Sequence, residues 1–120
     1  TLDWQFIASV KECIEKNMEN ADFNVDMLSS LHHMSRTSFF NKLKALTGYA
    51  PADYIRMIRM QHAAQLLKQG KYTVTEVADM VGFSDSKSFR EVFKKYYNVS
   101  PSKFNKQQEE PVDGINSSPQ

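Results

Sequence analysis

The chain has 120 residues, 41% of them apolar and a net charge of +1, which fits one small domain or two very small ones sharing a linker. No apolar run approaches the roughly 18–20 residues of a membrane span and no signal peptide is visible. One cysteine, Cys13, excludes an internal disulfide and a cysteine zinc cluster and points to a reducing compartment. The start at Thr1 without a methionine suits a fragment of something longer.

The near-zero net charge hides a strong division. Residues 1–34 hold two basic and six acidic side chains, residues 35–106 thirteen basic and five acidic, and residues 107–120 three acidic and none basic. A basic body of this kind is the footprint of a polyanion partner, although an ordinary solvated surface is charged too.

Taken in order, Asp3 is suited to cap a first helix with Ile7, Val10, Ile14 and Met18 at helical spacing and Phe6 and Cys13 beside them. Its outer side is acidic through Glu12, Glu15 and Glu19, and Cys13 reads as a small core residue. Asn20–Asn24 forms a turn, and Asn24 caps a short second helix with Val25, Leu28 and Leu31. After a tight connection at His32, His33 and Met34, Ser35 caps a third helix that Gly48 ends. Pro51 opens a helix to about Gln69, roughly 27 Å long, which Gly70 stops. Thr73 and Glu76 make a capping box for a fifth helix whose Val77, Ala78 and Val81 face inward. Gly82 makes the next turn, a sixth helix covers about Ser86–Tyr97, Asn98 ends it, and Ser100–Pro101 starts a short seventh. The fold expected is all-α, about seven helices, with one folded unit over residues 1–106 and a disordered acidic tail over residues 107–120.

The chain repeats itself. Asn24 aligns with Thr73, Leu28 with Val77, Ser29 with Ala78 and His33 with Gly82; after one inserted residue, Phe39 aligns with Phe89, Leu43 with Phe93, Lys44 with Lys94, Gly48 with Asn98 and Pro51 with Pro101. Each copy is a helix-turn-helix, at about residues 24–48 and 73–98, and the long helix at about 51–69 joins them. At about 100° per residue, Phe39, Leu43 and Leu46 share the inner face of one second helix, and Phe89, Phe93 and Tyr96 that of the other. Opposite lie Thr37, Asn41 and Lys44, with Arg36 and Phe40 beside them; in the second copy Lys87, Glu91 and Lys94, with Arg90 on the flank.

These outward side chains suit the major groove. Arginine and lysine donate to guanine, asparagine bridges adenine, glutamate accepts from cytosine and an aromatic ring meets the thymine methyl. Ser35, Ser86 and the first helical N–H groups can hold phosphates. A solvated face would explain either helix alone, but not an exposed Phe40 together with a duplication. Two such helices about 34 Å apart would enter successive major grooves from one chain, helped by some bending of the DNA.

Val77-Ala78, Gly82-Phe83-Ser84-Asp85, Phe89, Phe93-Lys94-Lys95, Ser100-Pro101 and Phe104 resemble the DNA-binding domain of the AraC/XylS family of bacterial transcription regulators. Met34-Ser35-Arg36, Leu43-Lys44, Gly48, Pro51, Tyr54-Ile55, Arg59, Ala63-Ala64 and Leu66-Leu67 fit the same pattern, so the likeness covers about residues 4–105. The resemblance implies base contacts at Arg36, Thr37, Phe40, Asn41 and Lys44, and at Ser86, Lys87, Arg90 and Glu91. Within the family, MSRTSFFNKLKALTG is most similar to the C-terminal domains of hybrid two-component regulators of Bacteroides-type bacteria. The implied partners are double-stranded DNA, a preceding receiver or sensor domain and RNA polymerase; the implied setting is cytoplasmic, with the full-length protein sometimes anchored in the inner membrane. This domain is expected to be a monomer, to bind no cofactor and to touch no membrane. Three positions depart from the family pattern: His33 and Asn98 stand where glycine is usual, and Glu91 where arginine often does.

No phosphate loop or nucleophile–base pair suggests an enzyme, and adjacent His32 and His33 cannot face one metal. The other reading of the residues is a helical module that docks a protein through the Phe40 side.

Overall fold

The computed structural model describes residues 1–104. Six helices follow in order: α1 Leu2–Lys16, α2 Val25–Leu31, α3 Arg36–Thr47, α4 Pro51–Gln69, α5 Val74–Met80 and α6 Ser86–Tyr97. A seventh, α7, is helical over residues 101–104, where the description ends. There is no strand among the described residues, and no helix there is long and apolar enough to cross a membrane. The acidic stretch 107–120 lies outside the described residues.

Local chemistry sets most of these boundaries. Asn24 caps α2 by accepting from Met27 N at 2.9 Å, and Ser35 caps α3 by accepting from Ser38 N at 3.1 Å. At α5 both arms of the capping box form, Thr73 Oγ1 with Glu76 N at 3.1 Å and Glu76 Oε1 with Thr73 N at 2.8 Å. Gly48, Gly70 and Asn98 take the left-handed conformation that stops α3, α4 and α6. One expected cap differs. Thr1, not Asp3, caps α1, because the first turn already closes between Gln5 N and Thr1 O and leaves Asp3 inside it.

The two copies of the repeat superpose in kind. Helices α2 and α5 have seven residues each, and α3 and α6 twelve each. Both turns use the same pair of backbone bonds, His33 N to Ser30 O and Met34 N to Ser29 O in the first, Gly82 N to Asp79 O and Phe83 N to Ala78 O in the second. His33 has φ 56° and Gly82 φ 87°, so the histidine adopts the left-handed backbone that glycine supplies in the other copy.

One continuous core joins the halves. Val10, Ile14, Leu28, Phe39 and Leu43 fill the first, and Val77, Ala78, Val81, Phe89 and Phe93 the second. Helix α4 buries Pro51, Tyr54, Ile55, Ile58, Arg59, Met60, Ala63, Ala64 and Leu67, more than one stripe, because α1 and α3 cover it on one side and α5 on another. The halves close differently. Phe6 of α1 and His32 pack against Phe39, with centroids 5.7–5.9 Å apart. In the second half Phe83, Phe89, Phe93, Tyr97 and Phe104 form an unbroken aromatic stack at 4.7–5.7 Å.

Two inner-face expectations need correction. Tyr96 is exposed, and Tyr97 turns inward instead: it stacks on Phe93 at 4.7 Å and its hydroxyl donates to Met60 O at 3.3 Å. Both tyrosines border the Phe89–Phe93 stripe, and α4 and Phe104 lie on the Tyr97 side. Leu46 is only half-buried, since α3 sinks into the core mainly through Phe39 and Leu43.

Candidate nucleic-acid interface

The outward faces of α3 and α6 are presented as the wheel requires. Phe39, Leu43, Phe89 and Phe93 are fully buried, so each helix is pinned by residues four apart and cannot roll. Thr37, Asn41 and Lys44 on α3 and Lys87, Arg90, Glu91 and Lys94 on α6 are therefore held on solvent-facing sides, and all are exposed. Phe40 is 40% exposed, and the Lys44 ammonium stands 5.8 Å from its ring centroid, a loose cation–π contact at the rim of the face.

Two of the expected contact residues are placed differently from the rest. Arg36 is exposed but paired with Asp26 of α2 at 3.1 Å. An ion pair so open to water is worth about 0–1 kcal/mol, so a phosphate or a guanine edge can take over the guanidinium at little cost. Ser86 is half-buried at the first position of α6, and Asp85 caps the helix, accepting from Ser88 N at 2.7 Å and from Ser88 Oγ at 3.1 Å. Those two hydrogen bonds pull the Asp85 carboxyl below its ordinary range. The start of α6 thus already holds a negative charge, and the start of α3, capped by the neutral Ser35, does not. The signal for Asp85 was present in the sequence, an aspartate directly before the helix.

The four basic residues of α6, Lys87, Arg90, Lys94 and Lys95, form no ion pair with any described residue. Lys94 also lines a shallow hollow with Asn98, Val99, Ser100 and Lys103, which adds a second lysine to the same end of the molecule. On the acidic outer side of α1, Glu12 pairs with Lys16 at 3.8 Å and Glu15 is within hydrogen-bond reach of His62 of α4 at 3.2 Å.

The histidines serve separate local roles. His32 Nδ1 lies 2.9 Å from Leu28 O and so carries the proton it donates there; its Nε2, 3.0 Å from Ser9 Oγ, accepts from that hydroxyl in the neutral ring. His33 occupies the turn and His62 faces Glu15. Arg59, one of the residues that fit the family pattern, is buried on α4 and bonded to two backbone carbonyls.

Comparison with known proteins agrees with the fold. A family model described as a helix-turn-helix domain matches residues 28–107. Histidine kinase P4 of Formosa agariphila is 36% identical over 104 residues, covering 87% of this chain and 8% of that protein. The C-terminal domain of the two-component response regulator yesN from Fusobacterium nucleatum has a TM-score of 0.78 at 28% identity, covering 84% of this chain and 98% of that one. The DNA-binding domain of AdpA, a global transcriptional factor solved in complex with a target DNA, has a TM-score of 0.77 at 29% identity, covering 83% and 89%. The chain spans between 8% and 39% of the length of the curated relatives it resembles. With two matched helix-turn-helix units, the joining helix and these relatives in agreement, the chain belongs to the AraC-type family of helix-turn-helix, DNA-binding transcription regulator domains.

Proposed function

We propose that this domain reads sequence in duplex DNA by laying α3 and α6 in successive major grooves. The observation that carries the reading is the duplication itself: two twelve-residue helices, each sunk in the core by a phenylalanine and a residue four further on, each turning the same register positions outward. In this reading Arg36, Thr37, Phe40 and Asn41 address base edges from α3, and Lys87, Arg90 and Glu91 from α6. Lys44 extends the base-reading set of α3, as the family resemblance implies; Lys94 and the hydroxyl of Ser35 hold backbone phosphates, and Ser86, at the helix start, can serve either role. Asn41 is the adenine reader and Glu91 the cytosine reader by donor–acceptor pattern.

The folded unit we assign to residues 1–106 would be the output end of a longer two-component regulator. The names of the kinase relative and of the response-regulator neighbour support that setting. A receiver or sensor domain would then precede it, RNA polymerase would be its partner at the promoter, and the domain would work in the cytoplasm where the DNA is. Any kinase activity would belong to a part of the protein outside this chain.

Selection of bound duplexes from a random pool tests the reading. The expected product is a bipartite motif with centres about one helical turn apart. Asn41→Ala should relax preference at one base position, at a cost of about 1–3 kcal/mol for the preferred base, whereas Lys94→Ala should weaken binding to all sequences alike. Equal loss for Asn41→Ala across a panel of single-base variants removes Asn41 from the readers. The exposed Phe40 favours one other reading, docking of a partner protein on α3. That contact would be nearly indifferent to salt, whereas DNA binding weakens steeply as counterions are released.

A further inference from the structure

We propose that Arg59 is a positioning residue: it fixes the second recognition helix relative to the first and so sets the groove-to-groove spacing the domain accepts. The inference rests on the two-groove reading above.

Arg59 lies near the middle of α4 and is 8% exposed. Its Nη1 donates to Gly82 O at 2.8 Å, in the turn that delivers α6. Its Nη2 donates to Asn20 O at 2.9 Å, in the connection that follows α1. The two acceptors are 23 and 39 residues away in sequence, so one side chain links three separate segments. No carboxylate of the described residues pairs with it, and Nε is buried without a partner. Stability alone is a poor explanation for such a residue, because an apolar side chain of similar volume avoids the cost of burying a charge. What a planar guanidinium supplies, and a hydrocarbon does not, is a fixed angle between two acceptors.

The contact around Gly82 is correspondingly close. A Cβ at that position would lie 2.3 Å from Met18 O and 2.5 Å from Arg59 Nη1. The second turn is thus seated directly on the end of the α1 segment and on the guanidinium. At the equivalent place in the first copy, His33 is exposed. Helix α1 braces the first half through Val10, Ile14 and Phe6, and its trailing connection holds the second half through Arg59. The next residue of α4, Met60, accepts from Tyr97 at the far end of α6. Consecutive residues of the joining helix therefore hold α6 at its entrance and its exit.

The test uses the bipartite duplex recovered by selection and versions with one or two base pairs added to or removed from its middle. The unaltered chain should bind one spacing best. Arg59→Lys, with one ammonium in place of a fork, should lose about tenfold at that spacing and show a flatter profile across the series, while binding a single half-site duplex unchanged. A variant that keeps the original profile, whatever its overall affinity, overturns the proposal. Independently of DNA, nitroxides at Ala45→Cys and Lys95→Cys in a Cys13→Ser background measure the separation of α3 and α6. One narrow distance is expected with Arg59 in place and a broad one in Arg59→Lys; a broad distribution with Arg59 in place overturns the proposal even if every Arg59 variant fails to fold. Absence of any bipartite binding by the unaltered chain would count against the two-groove reading instead, and the distance measurement would still report on Arg59.

Discussion

His33 and Gly82 occupy one position of the repeat under opposite constraints. Both have positive φ, 56° and 87°. His33 is exposed, so the only cost of its side chain is the backbone conformation. His33→Gly should therefore raise stability by about 0.5–1 kcal/mol, the left-handed penalty less the extra freedom glycine gives the unfolded chain. Gly82→Ala should behave very differently. It adds to the same backbone strain an overlap with Met18 O and with the Arg59 guanidinium, a carbonyl and a side chain that are both fixed. A loss of ~3 kcal/mol or more is expected, against about 1 kcal/mol for Gly48→Ala, where nothing lies within 4 Å of an added Cβ. Urea denaturation of the three variants checks the order. The sequence made the turn at both positions legible, because the repeat aligned His33 with a glycine. It could not reveal which of the two was packed, since that depends on where the end of α1 and Arg59 come to rest. Arg56 and Arg59 stand three apart on one helix and only Arg59 fits the family pattern, but the letters do not say which is buried: Arg56 pairs with Asp53 at 2.9 Å on the surface and Arg59 is buried.

Most helix boundaries were legible because a cap is a local affair, although the caps Thr1 of α1 and Asp85 of α6 were not read from the sequence. Asn24, Ser35, Pro51, Gly70 and the Thr73–Glu76 box act within a single turn of chain, so their roles follow from spacing alone. The inner faces were legible to within one residue of their edges. Tyr97 displaced Tyr96 because α7 and the Met60 carbonyl lie on its side, a fact of packing with no trace in the periodicity of α6. Asp85 is the element-scale feature with a measurable consequence. Its carboxyl is held below the ordinary 3.8 by Ser88, so the folded chain favours the ionised form more than the unfolded chain does. The cap contribution from that charge is complete above the unfolded value and is lost as pH falls through the depressed folded value. Asparagine caps about as well and does not titrate there. The stability of Asp85→Asn relative to the unaltered chain should therefore be constant above about pH 5 and rise below pH 4. Urea midpoints for the two chains across that range provide the check, and a difference that does not change with pH would mean the Ser88 bonds do not persist in solution.

At the scale of the whole molecule, the division of charge seen in the sequence becomes a division of surface. Among the acidic residues of α1, Glu12 pairs with Lys16, while the bases of α6 form no ion pair with any described residue. Composition along the chain was enough to find that asymmetry, but not the relative placement of α3 and α6, which depends on how α4 and the end of α1 hold the second half. Placement is what salt dependence can report. If both helices are engaged at once, cations from both faces displace counterions together, and the slope of log K against log salt on the two-part duplex should be close to the sum of those on duplexes carrying either half alone. Arg36, Lys44, Lys87, Arg90 and Lys94 are the side chains available for this. Lys94→Ala should reduce the two-part slope by about one, while Asn41→Ala, which carries no charge in either form, should leave it unchanged. One chain per duplex in sedimentation is the matching stoichiometry, since two reading helices in one polypeptide make a dimer unnecessary for spanning two grooves. A two-part slope no steeper than that of a single half would mean that only one helix touches DNA at a time, and the joining helix would then be a tether and not a spacer.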